Sequence, residues 1–214
     1  MEREEMAGMI DYTLLKPDAT QQDVRGLCAE AMEYGFYSVC VNPCHVELCK
    51  SELEGSKIKI TAVIGFSLGA ITGKMKAMEA KSALELGADE VDMVINIGYL
   101  KSGLLDLVRE DIEGVVRAAE GHTVKAIIET GLLNDGEKIS SCLAAQSSGA
   151  AFVKTSTGFG HGGATTHDVN LMRRTVGADM GVKASGGIKT AAQAMELLKA
   201  GATRIGTSKN LYLP

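Results

Sequence analysis

The sequence of 214 residues contains no tryptophan, only three prolines and few aromatic residues. It has no apolar run long enough to cross a membrane, and its first residues are acidic where a secretory signal needs a basic start and an apolar stretch. It also lacks a strong charge bias: 22 basic residues face 27 acidic ones, which gives no reason to expect nucleic acid or a membrane surface as a partner. We therefore expect a cytoplasmic protein that binds a small molecule.

The five cysteines are odd in number and lack the spacing of a disulfide framework, so we expect free thiols in a reducing compartment. The segment Cys40-x₃-Cys44-His45-x₃-Cys49 has the composition of a metal site. Cys40 falls in a predicted strand, however, whereas Cys49 falls in the helical segment that follows. Packed or surface thiols are the simpler interpretation, and we predict no metal.

Apolar segments typical of β-strands alternate along the chain with segments of helical character. The predicted strands are residues 8–14, 36–42, 59–66, 90–98, 123–130, 151–158, 181–187 and 203–208. The main predicted helices are residues 19–34, 73–86, 106–120, 136–147, 168–175 and 190–200. Such alternation indicates a parallel sheet.

Eight strand and helix units, with no G-x-G-x-x-G motif after the first strand, favour a closed barrel over a doubly wound open sheet. We predict a single (β/α)₈ TIM barrel domain over residues 1–214, with a short N-terminal helix. Few residues follow the eighth strand, so the last helix should be truncated, and the N-terminal helix or a neighbouring subunit could cover the gap.

A repeated pattern, V-K-x-S-x-G, places Lys154 and Lys183 at the ends of the sixth and seventh predicted strands. Catalytic residues of such barrels lie at these carboxyl ends. A cation held beside a poorly hydrated amine lowers the pKa of that amine, so the pair could supply a nucleophile for Schiff-base chemistry. A lone lysine of this kind usually reaches solvent instead. That is our expectation for Lys125 near the start of the fifth strand, to which we assign no role.

Schiff-base chemistry also needs a group that moves protons. Asp92 lies in a strongly apolar strand and is our candidate, although its position also allows a surface carboxylate. Glu129, at the end of the fifth strand, is a second possible acid. The sequence Glu-Thr-Gly is also an ordinary entry into a turn, so we leave its role open.

The last two loops are rich in glycine, which favours a phosphate site. Gly186 and Gly187 precede a predicted helix, and Gly206 closes the eighth strand, so unobstructed backbone N–H groups should face the mouth of the barrel. Barrels often bind phosphate at this place. Lys189 or Lys209 could add positive charge there.

Two histidines, His161 and His167, flank a loop rich in glycine and threonine. Thr166 in this loop is predicted to cap the next helix. Since the loop has this structural explanation, we predict no catalytic histidine.

Six segments, taken in order, resemble the deoxyribose-phosphate aldolase family, and the resemblance covers about residues 10–208. They are DYTLL at 11–15, SVCVNP at 38–43, VDMVIN at 91–96, FVKTSTGF at 152–159, VKASGG at 182–187 and IGTS at 205–208. The sequence departs from many relatives at Tyr12, Phe159 and Lys209, where histidine, lysine and serine respectively also occur.

By this resemblance Lys154 forms the Schiff base, and Asp92 and Lys183 donate and accept protons. The implied substrate and phosphate contacts are Asp11, Thr13, Cys40, Thr157, Gly158, Gly186, Gly187, Gly206 and Ser208. The implied reaction is reversible cleavage of 2-deoxy-D-ribose 5-phosphate to D-glyceraldehyde 3-phosphate and acetaldehyde. The iminium serves as the electron sink, so no cofactor is implied. We expect a homo-oligomer, either a dimer or a tetramer.

Two other functions fit the same residues. Another lysine aldolase or a transaldolase-like barrel would act on a different phosphorylated aldehyde through the same lysine. A non-catalytic protein that kept the barrel would bind a sugar phosphate through the Gly186 and Gly206 loops without turnover. Trapping with borohydride distinguishes these alternatives.

Overall fold

Eight parallel strands close into a barrel in chain order, with β1 paired to β8, in a computed structural model that describes residues 3–160 and 162–212. The strands are β1 (Ile10–Leu14), β2 (Ser38–Val41), β3 (Lys59–Ile64), β4 (Glu90–Val94), β5 (Thr123–Ile127), β6 (Phe152–Lys154), β7 (Gly181–Ser185) and β8 (Arg204–Thr207). Each lies within one of the eight predicted segments, so the predicted TIM barrel is confirmed.

Helices connect the strands on the outside of the barrel. They are α1 (Arg3–Ala7), α2 (Gln21–Tyr34), α3 (Val46–Glu52), α4 (Gly73–Leu86), α5 (Ile97–Lys101), α6 (Leu105–Ala118), α7 (Asp135–Ser147), α8 (Thr166–Val176) and α9 (Ala191–Lys199), with short 3₁₀ turns at Pro43–His45 and Thr130–Leu132. In the part of the chain described, every helix is too short or too polar to span a lipid bilayer.

Side-chain caps explain two local expectations that are wrong. The fourth predicted strand was too long, because the Asn96 side chain accepts from Tyr99 N and begins α5 there. The cap of α8 is Thr165 and not Thr166, since it is the Thr165 hydroxyl that accepts from Asp168 N. A cap depends on the backbone angles just before the helix, which neighbouring threonines in a sequence do not reveal.

The two faces of the strands have different compositions. Outward residues such as Ile10, Val91 and Val182 are fully buried and form the main apolar core beneath the helices. Inward residues are largely polar or charged, including Asp92 and Lys125, which also have no exposed surface. Because side chains alternate along a strand, one sequence builds both an apolar outer layer and a charged interior.

The segment after β8 takes the place of a last helix. No helix follows β8 among residues 208–212, in agreement with the predicted truncation. Leu211 is buried in the main core, and the Tyr212 ring stacks on Tyr34 and Phe36 with centroids 5.9 Å from each. Phe36 precedes β2, so Tyr212 packs toward the amino ends of the strands. Met6 of α1 is also buried in this core.

Candidate active site

Two lysines meet inside the barrel near the carboxyl ends of β6 and β7. Lys154 is the last residue of β6, and Lys183 is its partner in the parallel pairing of these strands. Only 2% and 0% of the two residues' surfaces are exposed. The structure therefore brings together the two lysines of the repeated V-K-x-S-x-G pattern, in a poorly hydrated interior.

Asp92 binds both of these lysines. Its Oδ2 accepts from Lys154 Nζ at 2.8 Å and from Lys183 Nζ at 2.7 Å. Asp92 has no exposed surface, so it is not the surface carboxylate that its sequence position also allowed. A carboxylate oxygen that accepts from two ammonium groups can relay a proton between them.

A third lysine, Lys125, holds the other oxygen of Asp92. Its Nζ lies 2.8 Å from Asp92 Oδ1 and 2.6 Å from Glu90 Oε2. The expectation that Lys125 reaches solvent is wrong, because the side chain faces the interior and is fully buried. The register pairs Lys125 with Asp92 on the neighbouring strand. The sequence signal for this contact is a charged residue in each of two adjacent apolar strands.

Asp11 and Arg204 extend this arrangement toward β1 and β8. Asp11 accepts from Lys183 through Oδ2, and from Arg204 at 2.9 Å and Ser38 at 2.8 Å through Oδ1. Arg204 also lies 3.3 Å from Glu90. We call the seven buried groups the interior charge cluster: Asp11, Glu90, Asp92, Lys125, Lys154, Lys183 and Arg204. With every group ionised, its four cations and three anions leave one excess positive charge.

The protonation of the two aspartates follows from this surplus of cations. Burial by itself would raise the pKa of Asp92, but Lys125, Lys154 and Lys183 together lower it well below its usual value. Burial likewise opposes the ionisation of Asp11, yet Lys183, Lys125 and Arg204 make its net pKa shift downward. Both side chains are therefore carboxylates at neutral pH.

Lys183 is held as a cation. Burial would lower the pKa of its ammonium, but Asp11 and Asp92 outweigh burial and raise that pKa above its usual value. A cation beside Lys154, joined to it through one oxygen of Asp92, is the arrangement that the paired-lysine hypothesis requires. The structure adds that this cation binds two carboxylates, those of Asp11 and Asp92.

The predicted substrate contacts on β1 and β2 lie beside one another. Thr13 pairs with Cys40 in the register, and the Thr13 hydroxyl donates to Asp11 O at 3.1 Å. Cys40 is fully buried in a small apolar cluster with Leu15 and Val63. Burial raises the pKa of the Cys40 thiol, so the group is a neutral, apolar wall of the site.

Two of the glycines predicted to bind phosphate lie side by side, and a third lies against Lys183. Gly158 and Gly186 have φ angles of +86° and +90°, and a Cβ on Gly186 would lie 3.7 Å from Gly158 Cα. Gly206 lies inside β8, where a Cβ would be only 2.9 Å from Ser185 Cβ and 3.1 Å from Lys183 Cε. Glycine is therefore needed at 206 so that the Lys183 side chain can pass, a requirement that the sequence did not reveal.

The remaining predicted contacts lie on the same loops with different exposure. Thr157 is buried, whereas Gly187 and Ser208 are exposed, as are Lys189 and Lys209. The Thr207 hydroxyl, at the end of β8, donates a 2.9 Å hydrogen bond to Ile188 O in the loop after β7. The loops therefore form one continuous rim at the mouth.

Other candidate ligands lie apart from this rim. Among residues 3–160 and 162–212, Asp135, His167 and Asp168 are the group whose potential metal-binding atoms lie within 4.8 Å of one another. Lys138 Nζ already bonds both aspartates, at 3.1 Å and 2.6 Å. A lysine ammonium between two carboxylates fills the position that a cation would take. His161 lies outside the described residues.

Comparison with known proteins places the barrel among aldolases. The model of the DeoC/LacD family aldolases matches residues 6–210. The chain is 58% identical over 204 residues to the deoxyribose-phosphate aldolase of Streptococcus gordonii, covering 95% of this chain and 93% of that protein. It is 55% identical over 209 residues to the Bdellovibrio bacteriovorus enzyme of the same name, covering 98% and 95%. A tetrameric deoxyribose phosphate aldolase from Aeropyrum pernix superposes with a TM-score of 0.90 at 36% identity, covering 97% of this chain and 88% of that one.

Proposed function

The chain belongs to the DeoC/LacD family of aldolases, and we propose that Lys154 is the amine that attacks its substrate. The reaction is the reversible cleavage of 2-deoxy-D-ribose 5-phosphate to D-glyceraldehyde 3-phosphate and acetaldehyde, and the enzyme is a lyase. One observation carries the assignment of Lys154: this buried lysine ends its strand at the mouth and shares one oxygen of Asp92 with the cation Lys183.

The contacts within the interior charge cluster distinguish the three lysines. Lys125 and Lys183 each contact two carboxylates within 3 Å, whereas Lys154 contacts Asp92 alone, through an oxygen that it shares. Removing one proton would balance the cluster's excess positive charge. Lys154 therefore has the fewest carboxylate contacts of the three lysines, and a neutral amine is the nucleophile that this chemistry needs.

The steps follow from these positions. The Lys154 amine adds to the C1 aldehyde, and the Lys183 ammonium supplies the proton with which the C1 oxygen leaves as water, giving an iminium. Asp92 accepts the proton of the C3 hydroxyl. Acetaldehyde contains only C1 and C2, so the bond that breaks is C2–C3, and its electron pair moves into the iminium to form an enamine. Protonation at C2 and hydrolysis then release acetaldehyde and restore the amine.

The glycines in the loops at the mouth of the barrel support a phosphate site for the end of the substrate that is farthest from C1. We assign this site to Gly158, Gly186, Gly187, Gly206 and Ser208, with Thr157 beneath them. Gly158 and Gly187 are exposed, and such open backbone N–H groups bind phosphate oxygens well. Gly206, which is buried beside Ser185 and Lys183, would contribute from the end of β8. Asp11, Thr13 and Cys40 would line the opposite wall, toward the sugar.

Borohydride trapping tests the assignment. The protein is incubated with 2-deoxy-D-ribose 5-phosphate and sodium borohydride, and the modified peptide is located by mass spectrometry. We expect one adduct, on Lys154, and none in Lys154→Leu. An adduct on Lys125 or Lys183, or active protein without an adduct, would refute the assignment. Trapping of Lys154 only by another phosphorylated aldehyde would indicate a different lysine aldolase, and binding without turnover would indicate a sugar-phosphate carrier.

We also propose a homo-oligomer of single-domain subunits, working in the cytoplasm. The tetrameric Aeropyrum pernix structure and exposed apolar side chains such as Met75 and Met78, on consecutive turns of α4, support association. Reduced cysteines, including the exposed Cys44, suit a reducing compartment. Light scattering coupled to size-exclusion chromatography should give a mass of two or four chains, and a monomer would contradict the proposal.

A further inference from the structure

Glu129 occupies an unusual backbone position in the loop after β5. Its φ and ψ angles are 54° and 66°, in the left-handed region that only a few per cent of non-glycine residues adopt. The residue is 4% exposed. A buried, non-glycine residue held in this conformation requires support from its surroundings, and such residues concentrate at functional sites.

The Glu129 side chain binds the next loop and not the interior charge cluster. Its Oε2 accepts from Thr157 N at 3.1 Å and from the Thr157 hydroxyl at 2.5 Å. The Thr157 hydroxyl in turn accepts from Phe159 N at 3.1 Å. Thr157 follows Lys154 by three residues. The Glu129 carboxyl group, in the loop after β5, therefore fixes the loop that follows Lys154 at the end of β6.

The same carboxyl group also limits the far side of this turn. A Cβ on Gly160 would lie 3.1 Å from Glu129 Cδ and Oε1, so a side chain at 160 would press on the carboxyl group. Glu129 therefore contacts the turn at Thr157 and again at Gly160. Between these points lies Gly158, exposed and with a positive φ, which is one of the proposed phosphate contacts.

We infer that Glu129 is a positioning residue that sets the affinity for the phosphate end of the substrate by fixing residues 157–160. This inference rests on the proposed phosphate site. The geometry separates Glu129 from the proton transfers, because its carboxyl group is directed to Thr157 and Gly160, whereas Lys154 and Lys183 bind Asp92. Loss of its hydrogen bonds frees the turn that carries Gly158, while the contacts of Asp92 with Lys154 and Lys183 are left in place.

The experiment compares Glu129→Ala with Glu129→Gln, whose amide oxygen can still accept both hydrogen bonds from Thr157. Glu120→Ala is the matched control, since Glu120 is also a glutamate with positive φ (48°) but is exposed and lies before β5. Steady-state constants are measured with 2-deoxy-D-ribose 5-phosphate and with unphosphorylated 2-deoxy-D-ribose. Inorganic phosphate is used as a competitive inhibitor, so that the affinity for phosphate is measured with a ligand that is not itself converted.

For Glu129→Ala we expect about a tenfold rise in KM for the phosphorylated sugar and a similar rise in the inhibition constant of phosphate, because small misplacements of binding groups have effects of this size or larger. Turnover number, and kcat/KM for the unphosphorylated sugar, should stay within about twofold of the parent. Glu129→Gln and Glu120→Ala should behave like the parent protein.

An equal loss of kcat/KM with both sugars would overturn the inference, because it would mean that Glu129 acts on the reacting atoms or on the whole fold. Unchanged phosphate inhibition would overturn it too. If Glu129→Ala does not fold, Glu129→Asp withdraws the carboxyl group by one methylene and must show the same selective loss. The proposed function would fail separately, through the absence of a Lys154 adduct in the parent protein.

Discussion

Replacing Lys183 by methionine should nearly abolish catalysis while Lys154 stays in place. Two ammonium groups about 4 Å apart repel by about 4 kcal/mol at an effective dielectric constant of about 20. Lys154 and Lys183 reach one oxygen of Asp92 at 2.8 Å and 2.7 Å, so they are close enough for a repulsion of this order. Without Lys183 the interior charge cluster has three cations and three anions, and the cation beside Lys154 is lost.

A change of about 4 kcal/mol corresponds to about a thousandfold fall in turnover at neutral pH, which lies within the range for loss of a proton-transfer group. The assay measures kcat and, separately, the rate of borohydride trapping at Lys154, and both should fall in parallel. Lys76→Met is the matched control, because Lys76 is also fully buried and paired, at 2.5 Å, with Asp111. Either variant should lose about 3–5 kcal/mol of stability.

Only the Lys183 variant should show a lower rate of borohydride trapping at Lys154 per folded molecule. If Lys183→Met keeps more than a tenth of the parent rate, or if Lys76→Met loses as much activity, the electrostatic coupling between the two lysines is refuted.

Three further predictions concern the same interior. Lys125→Met leaves Asp92 Oδ1 without its 2.8 Å partner, and urea denaturation should show a loss of about 3–5 kcal/mol together with a lower kcat; unchanged stability would contradict the role of Lys125 in the cluster. Gly206→Ala places a Cβ 3.1 Å from Lys183 Cε and should lower kcat about a hundredfold, whereas Gly114→Ala, in a helix with open space around it, should keep full activity and gain up to about 1 kcal/mol. The two interior aspartates have pKa values below the usual 3.8 in the folded state, so their contribution to stability is complete well above that pH and is lost as the pH falls below it. The urea midpoint should therefore decrease from about pH 5 downward, and a midpoint that holds constant to pH 3 would contradict the ionised state of both groups.

Much of the candidate site could be predicted because its signals are local. Lys154 and Lys183 occur in the same short pattern at two strand ends. Because they hold the same position in successive strand and helix units, they are predicted to pair across neighbouring parallel strands. The register confirms that pairing. Eight apolar segments separated by helices likewise predict the barrel. Successive side chains of a strand point to opposite faces, so the outer face of each strand is buried when every second residue is apolar, and this pattern is local in the sequence.

The sequence by itself therefore determined the barrel, the family and the two paired lysines. Only the tertiary structure decided that Lys125 and Arg204 point inward. There Lys125 binds the carboxylate of Asp92, and Arg204 binds that of Asp11, which lies 193 positions away in the chain. It also decided that Glu129 binds the turn of the neighbouring loop and that Tyr212 stacks on Tyr34 and Phe36 toward the amino ends of the strands. These contacts join residues that are distant in the chain, and the stagger of the closed strands, which no local pattern encodes, determines which of them meet.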